Sequence, residues 1–151
     1  LPNPESTCFL THSEFKRAKK METDQITESI IGASYEVMNV LGSGFLEKVY
    51  ENALVEELRM RQMLVVQQKD LIVRYKHIVA GFYIADLVVE DEVIVELKVA
   101  KKLDPIHSAQ LINYLKASGF HVGLLINFGN PHIEVKRFFN NGQDKKNEEG
   151  E

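Results

Sequence analysis

A single cysteine, Cys8, is all the thiol chemistry available to this 151-residue chain. It lies in a polar N-terminal stretch, so no internal disulfide and no cysteine-based zinc site can form, which fits a reducing cytoplasm. Nothing beside Cys8 in sequence would lower its pKa, and a nucleophilic thiol is not expected. Long apolar runs are missing as well: no segment approaches the roughly 20 residues that span a bilayer. The N-terminus lacks the basic-then-apolar order of a secretory leader. It begins at Leu1 rather than Met, which leaves a fragment or a processed start open. Nor is there an excess of positive charge. With a formal net charge of −4, any contact with phosphate has to come from a local patch. There is no internal repeat.

What is present suits one ordinary domain: 44% hydrophobic and 26% charged residues can bury a single core. Residues 1–22 read as an arm, with Pro2 and Pro4 early and the basic cluster Lys16, Arg17, Lys19 and Lys20 late. Residues 23–139 read as the domain, and the polar, charged stretch 140–151 as a disordered tail. Ile26, Ile30, Ile31, Ala33, Val37, Met38 and Leu41 recur at helical spacing, predicting a helix over 27–41 with Thr23 or Asp24 as N-cap and Gly42 as stop. A second helix is predicted over 45–60, burying Leu46, Val49, Tyr50, Ala53, Leu54 and Leu58. Strands follow over 64–69 and 71–75, then a hairpin, a helix over 105–118 ended by Gly119, and strands over 121–127 and 133–138. The order α-α-β-β-β-β-α-β-β implies an α/β fold with a central mixed sheet flanked by helices. Both faces of the hairpin are largely apolar, which predicts central strands covered on two sides.

The hairpin holds the strongest chemical signal. Phe82 to Val89 and Val93 to Leu97 are apolar runs joined by Glu90-Asp91-Glu92, the pattern of a three-residue turn. With residue 91 at its centre, Asp86 falls opposite Glu96, at a Cβ separation of roughly 5 Å. Strand alternation puts Lys98 on the same face as Glu96. Two carboxylates and an ammonium therefore converge. One explanation is a structural salt bridge of Lys98 with Glu96 or Asp86. The other is a divalent-metal site with a lysine beside it, because buried acids repel unless paired or neutralised by a cation.

The next helix carries His107, Gln110 and Tyr114 on one face, with Leu111 and Leu115 on the adjoining buried stripe. Glu47 lies at the start of the second helix, where the helix dipole favours any carboxylate. Tyr50 reads as a packing residue, and Glu51, Glu56 and Glu57 as a solvated face. His77, His121 and His132 are scattered and suggest no site.

Asp86, then Glu96-Leu-Lys98 after a hairpin, then Gln110-x-x-x-Tyr114 on the following helix resembles the PD-(D/E)XK nuclease superfamily, a restriction-endonuclease-like core, and its RecB-like branch in particular. Gly44-Phe-Leu-Glu47-Lys-Val-Tyr50 is similar to the signature of the GxxExxY group within it, as is Gly123-Leu-Leu-Ile-Asn127-Phe128-Gly129. The likeness spans about Ile26 to Phe138. It implies a nuclease that hydrolyses phosphodiester bonds, of DNA before RNA, through a metal-activated water, with Mg²⁺ or Mn²⁺ as cofactor. Asp86, Glu96 and the Leu97 carbonyl would be metal ligands, with Glu47 as a further or water-mediated one. Lys98 would orient water and stabilise charge. Gln110 and Tyr114 would touch substrate or metal-bound water, with His107 lining the site. Lys101, Lys102 and Lys116 would supply a basic rim. Members often have His at the position of Met38, Pro at that of Ser43 and Arg at that of Ile84; these departures leave the metal ligands intact.

A rival reading is a non-catalytic binding or self-assembling protein that keeps the fold. In that case the N-terminal arm would add to a neighbouring subunit and build a homo-oligomer.

Overall fold

The computed structural model describes residues 21–140. Cys8, nearly all of the arm and all but Asn140 of the tail lie outside the described residues. The elements are α1 (Thr23–Leu41), α2 (Glu47–Met60), β1 (Val65–Tyr75), β2 (Ile78–Val89), β3 (Val93–Lys98), α3 (Pro105–Ser118), β4 (Val122–Asn127) and β5 (Glu134–Phe139). The strands form one sheet in the order β1-β2-β3-β4-β5. Only β3 and β4 are parallel, joined by the α3 crossover; the other neighbours are antiparallel. Helices α1 and α2 pack on one face of the sheet with Leu87, Val95, Leu97 and Leu124. On the other face, α3 packs through Leu111 and Leu115 against Ile94 and Leu125. Among the described residues no helix is long and apolar enough to cross a membrane. The mixed sheet between helical layers agrees with the expected α/β class.

Local chemistry explains most boundaries, and several features differ from expectation; β2, for one, begins at Ile78 rather than Phe82. Helix α1 starts at Thr23 rather than 27, because Glu22 and Gln25 form a reciprocal capping box, so the cap is neither Thr23 nor Asp24. Met21 packs against the core one residue earlier. Strand β1 is one continuous element rather than two, absorbing a left-handed Gln68 (φ 54°) within it. Helix α2 is rotated relative to the expected stripe. Leu46 is 80% exposed and Val49 is exposed, whereas Tyr50, Glu51, Leu54, Val55 and Leu58 turn inward. Two overlapping apolar stripes compete on this helix, and hydrogen bonds from Gln68 and Lys48, both themselves exposed, accompany a buried carboxylate at Glu51 where a solvated face was expected.

The approach to α2 is built around one side chain. Tyr50 is fully buried and stacks on Phe128. Its hydroxyl donates to the Gly42 carbonyl at 2.6 Å and accepts from the Phe45 amide at 3.2 Å. The loop it ties down needs positive φ at Gly42 (71°) and Gly44 (109°), which a side chain would strain. Tyr50 and the two glycines thereby fix where α2 begins, and with it Glu47.

Coverage of the hairpin is incomplete. Strand β3 pairs with only the last part of β2, from Leu87 to Val89. The outer part of β2 pairs with β1 alone and projects as a two-stranded ribbon. Its α3-facing side is packed through Leu71, Tyr83 and Ala85, but Ile72, Phe82 and Ile84 on the reverse side are exposed. The expectation of two covered faces fails there, because the α1–α2 core takes no apolar residue of β1 after Val65 or of β2 before Leu87, and the hydrogen bonds of α2 reach β1 only as far as Gln68.

Candidate active site

The turn Glu90-Asp91-Glu92 sets the register as its length demands. Glu90 and Asp91 adopt left-handed conformations, and Val89 pairs with Val93, Val88 with Ile94 and Leu87 with Val95. The next pair would be Asp86 with Glu96, and there the backbone ladder stops. Side chains take it over: Glu96 Oε1 accepts from the Asp86 amide at 3.1 Å, and Asp86 Oδ2 accepts from the Leu97 amide at 2.9 Å. Lys98 gives its carbonyl to the Phe128 amide on the β4 side (2.8 Å). Backbone groups alternate in direction along a strand, so Leu97 points its carbonyl the other way, toward Asp86.

Strand alternation also slips at this point. Ala85 and Val88 belong to the α3 core while Leu87 and Val89 belong to the α1–α2 core. The faces of β2 therefore exchange at Asp86, whereas a regular strand would keep Tyr83, Ala85, Leu87 and Val89 on one face. This kink lets Asp86 face α2 while Glu96 receives the Tyr83 hydroxyl from the α3 side.

Helix α2 supplies two more acids. Glu47 lies close enough for Asp86 and Lys98 to act on its carboxylate. Glu51, one turn further on, is 4% exposed. It pairs with Lys48 and accepts from Gln68, whose amide also donates to Asp86 at 3.4 Å. Burial, then Asp86, raise Glu47 above the ordinary carboxylate range. Burial, reinforced by Glu51, does the same for Asp86. Glu96 is pushed up to about 7, first by burial and next by Asp86. The cluster carries more negative charge than its own hydrogen bonds neutralise.

Lys98 stands beside these acids without being consumed by them. Among the described residues no ion pair ties it to Asp86 or Glu96, which removes the structural salt bridge considered from spacing. Its backbone is held instead. Asn127 is fully buried, donating to the Ala100 carbonyl at 2.8 Å and accepting from the Ala100 and Gly129 amides at 3.0 and 2.9 Å. A Cβ at Gly129 would stand 2.1 Å from the Ala100 oxygen, so only glycine allows the approach. The side chain acts as a strand partner beyond the end of the ladder, anchoring the segment between Lys98 and α3. Asn127→Ala is expected to lower unfolding free energy by about 3 kcal/mol, since it breaks these bonds and leaves three half-buried backbone groups without this partner; a urea melt measures it.

Of the residues singled out from sequence, Glu47, Asp86, Glu96, Leu97 and Lys98 come together. Tyr114 joins them at the edge, stacked on Tyr83 and raised in pKa by burial and by Glu96. Gln110, one turn earlier, is exposed and makes no hydrogen bond to the cluster. His107 serves α3 itself, its Nδ1 accepting from the Asp104 amide at 3.3 Å in a capping box. Glu51, Gln68 and Tyr83 were missed. The four-residue step from Glu47 to Glu51 was a usable signal for a shared helical face; nothing in sequence marked Gln68 or Tyr83. A cavity of about 550 Å³, lined by Glu22, Asp91, Glu92 and His121 among others, lies at the opposite end of β3, by the hairpin turn.

A hard divalent cation suits the donor chemistry. The available atoms are carboxylate and carbonyl oxygens, and three of the acids are held above their usual range by burial and mutual repulsion. Among the described residues no group of three or more His, Cys, Asp or Glu side chains is already placed to hold a metal ion. Asp86 and Glu96 are spent partly on strand amides and would have to share their oxygens.

No curated protein sequence matches the chain. Among solved structures, an alkaline exonuclease (LHK-Exo) from Laribacter hongkongensis aligns with a TM-score of 0.43 at 12% identity, covering 78% of this chain and 82% of that one. A family model described as the PD-(D/E)XK nuclease superfamily matches residues 24–138, nearly all of the helices and strands above. That match spans well over half the chain, and the protein belongs to the PD-(D/E)XK nuclease superfamily.

Proposed function

We propose that the protein is a divalent-metal-dependent nuclease that hydrolyses phosphodiester bonds of DNA at the Asp86–Glu96–Lys98 cluster. The observation carrying this reading is Lys98, unpaired beside three carboxylates that lie above their ordinary pKa range. Asp86, Glu96 and the Leu97 carbonyl would hold Mg²⁺ or Mn²⁺, with Glu47 reaching it directly or through water. The cation, when bound, supplies Lewis-acid neutralisation of the scissile phosphate. Lys98 donates hydrogen bonds that orient the attacking water and stabilise developing negative charge. Gln68, itself bonded to Glu51, holds Asp86 from the α2 side, and Tyr83 orients Glu96. Tyr114 offers a hydroxyl at the rim, and Gln110 one turn away offers an amide to substrate phosphate.

The segments Gly44 to Tyr50 and Gly123 to Gly129 support placement in the GxxExxY group of the RecB-like branch. Their roles in tying the α2 loop and clasping Ala100 give each a physical purpose. The test is incubation with DNA and RNA in Mg²⁺ or Mn²⁺, beside Asp86→Ala and Lys98→Ala. Metal-dependent cleavage lost in both variants is the expected result. Cleavage surviving both points to a different site, and its absence from the parent protein favours a non-catalytic binding or self-assembling role.

A further inference from the structure

The projecting ribbon of β1 and β2 carries a surface that neither the core nor the acid cluster uses. Leu71, Tyr83 and Ala85 face α3, so Ile72, Phe82 and Ile84 face the other side, which α1 and α2 leave open. Ile72 lies directly opposite Phe82, and Phe82 is 73% exposed. Single exposed apolar residues are common, but a contiguous strip calls for an occupant.

The two ends of this strip identify the occupant. At one end, Ile84 lies two residues from Asp86, and Phe82 lies about 13 Å from it along the strand at about 3.3 Å per residue. At the other end, the turn Arg74-Tyr75-Lys76-His77 combines cations with an exposed ring, the Lys76 ammonium lying 5.3 Å from the Tyr75 centroid. From Val65 to Ala85 there are three cations and one acid in a chain of net charge −4; Arg74 and Lys76 lie at the turn, Lys69 lies opposite Ala85 on the α3-facing side, and Asp70 lies opposite Ile84. Aromatic and apolar surface takes base faces, and neighbouring cations take phosphates. A duplex hides its base faces, whereas an unpaired strand offers them.

We propose that the β1–β2 ribbon is a track for single-stranded DNA, with bases lying on Ile72, Phe82 and Ile84 and phosphates drawn to Arg74 and Lys76. It leads the strand toward Asp86 and so defines the substrate of the nuclease proposed above, on which it rests.

The test is fluorescence anisotropy in EDTA, so that binding is read without metal or cleavage. The probes are a labelled oligothymidylate and a labelled duplex. The proteins are the parent, Phe82→Ala, the double variant Arg74→Ala/Lys76→Ala, and Lys136→Ala. Phe82 is exposed, so its variant should fold, and a thermal melt checks this. The single strand should bind more tightly than the duplex. Phe82→Ala should weaken that binding about tenfold, the double variant should flatten its salt dependence, and Lys136→Ala, on the opposite edge of the sheet, should change it little. The track is overturned if the single strand does not bind, if the duplex binds equally well, or if Phe82→Ala binds like the parent. It is equally overturned if Phe82→Ala instead dissociates a dimer by light scattering, since the strip would then join two copies of the chain. Single-strand binding without metal-dependent cleavage would sink the nuclease reading and keep the track; cleavage indifferent to Phe82 would do the reverse.

Discussion

Lys98→Ala is expected to reduce metal-dependent DNA cleavage by about 10²–10³-fold, the scale on which removing one charge-stabilising donor acts. The backbone at this position is set by other groups. Phe128 holds the Lys98 carbonyl, and Asn127 with Gly129 clasps Ala100. Among the described residues the ammonium anchors no ion pair, so its loss should leave the melting temperature nearly unchanged. Binding of Mn²⁺, followed by electron paramagnetic resonance, should persist or tighten, because a competing positive charge has gone. Lys98→Arg should restore only part of the rate, since a planar fork cannot replace a compact ammonium. Cleavage within a few-fold of the parent, with normal metal binding, would remove Lys98 from the chemistry.

Glu96→Gln should stabilise the protein at pH 8 by about 3 kcal/mol, from a rise of 4.5 to about 7 at 1.36 kcal/mol per unit. The folded state holds this proton more tightly than the unfolded chain. The stability so gained is complete below about pH 4.5 and is lost as pH rises through about 7. Glutamine imitates the protonated form and still accepts from the Asp86 amide and the Tyr83 hydroxyl. Its advantage should vanish near pH 4.5 and grow toward pH 8, in thermal melts run without divalent metal. A divalent cation reverses the balance, since it binds the ionised carboxylate. Mg²⁺ should therefore raise the melting temperature of the parent at pH 8 far more than at pH 5.5, and that of Glu96→Gln much less. Parallel melting curves for the two proteins across this range would show that Glu96 ionises like an exposed carboxyl.

Much of the site could be read before folding because it rests on local periodicity. A three-residue turn between two apolar runs brings Asp86 opposite Glu96, and a two-residue step brings Lys98 to the same face. Helix α3 was legible because Pro105 and Gly119 bound it and Leu111 and Leu115 fall on one stripe. Helix α2 was misread on its inner face, since Leu46 and Val49 were as apolar as Leu54 and Val55. Only the position of Gln68 on β1 settles why Glu51 goes inside.

The sequence by itself determined the order of elements except for the undivided β1, the hairpin register and the approach of Asp86, Glu96 and Lys98. These follow from repeat lengths of two and 3.6 residues and from where glycine and proline interrupt them. Tertiary structure alone decided the slip at Asp86, the burial of Glu51, the freedom of Lys98 and the bare face of the ribbon. Each of these depends on which distant surface arrives against a strand or helix, and the helices reach only part of the way along β2.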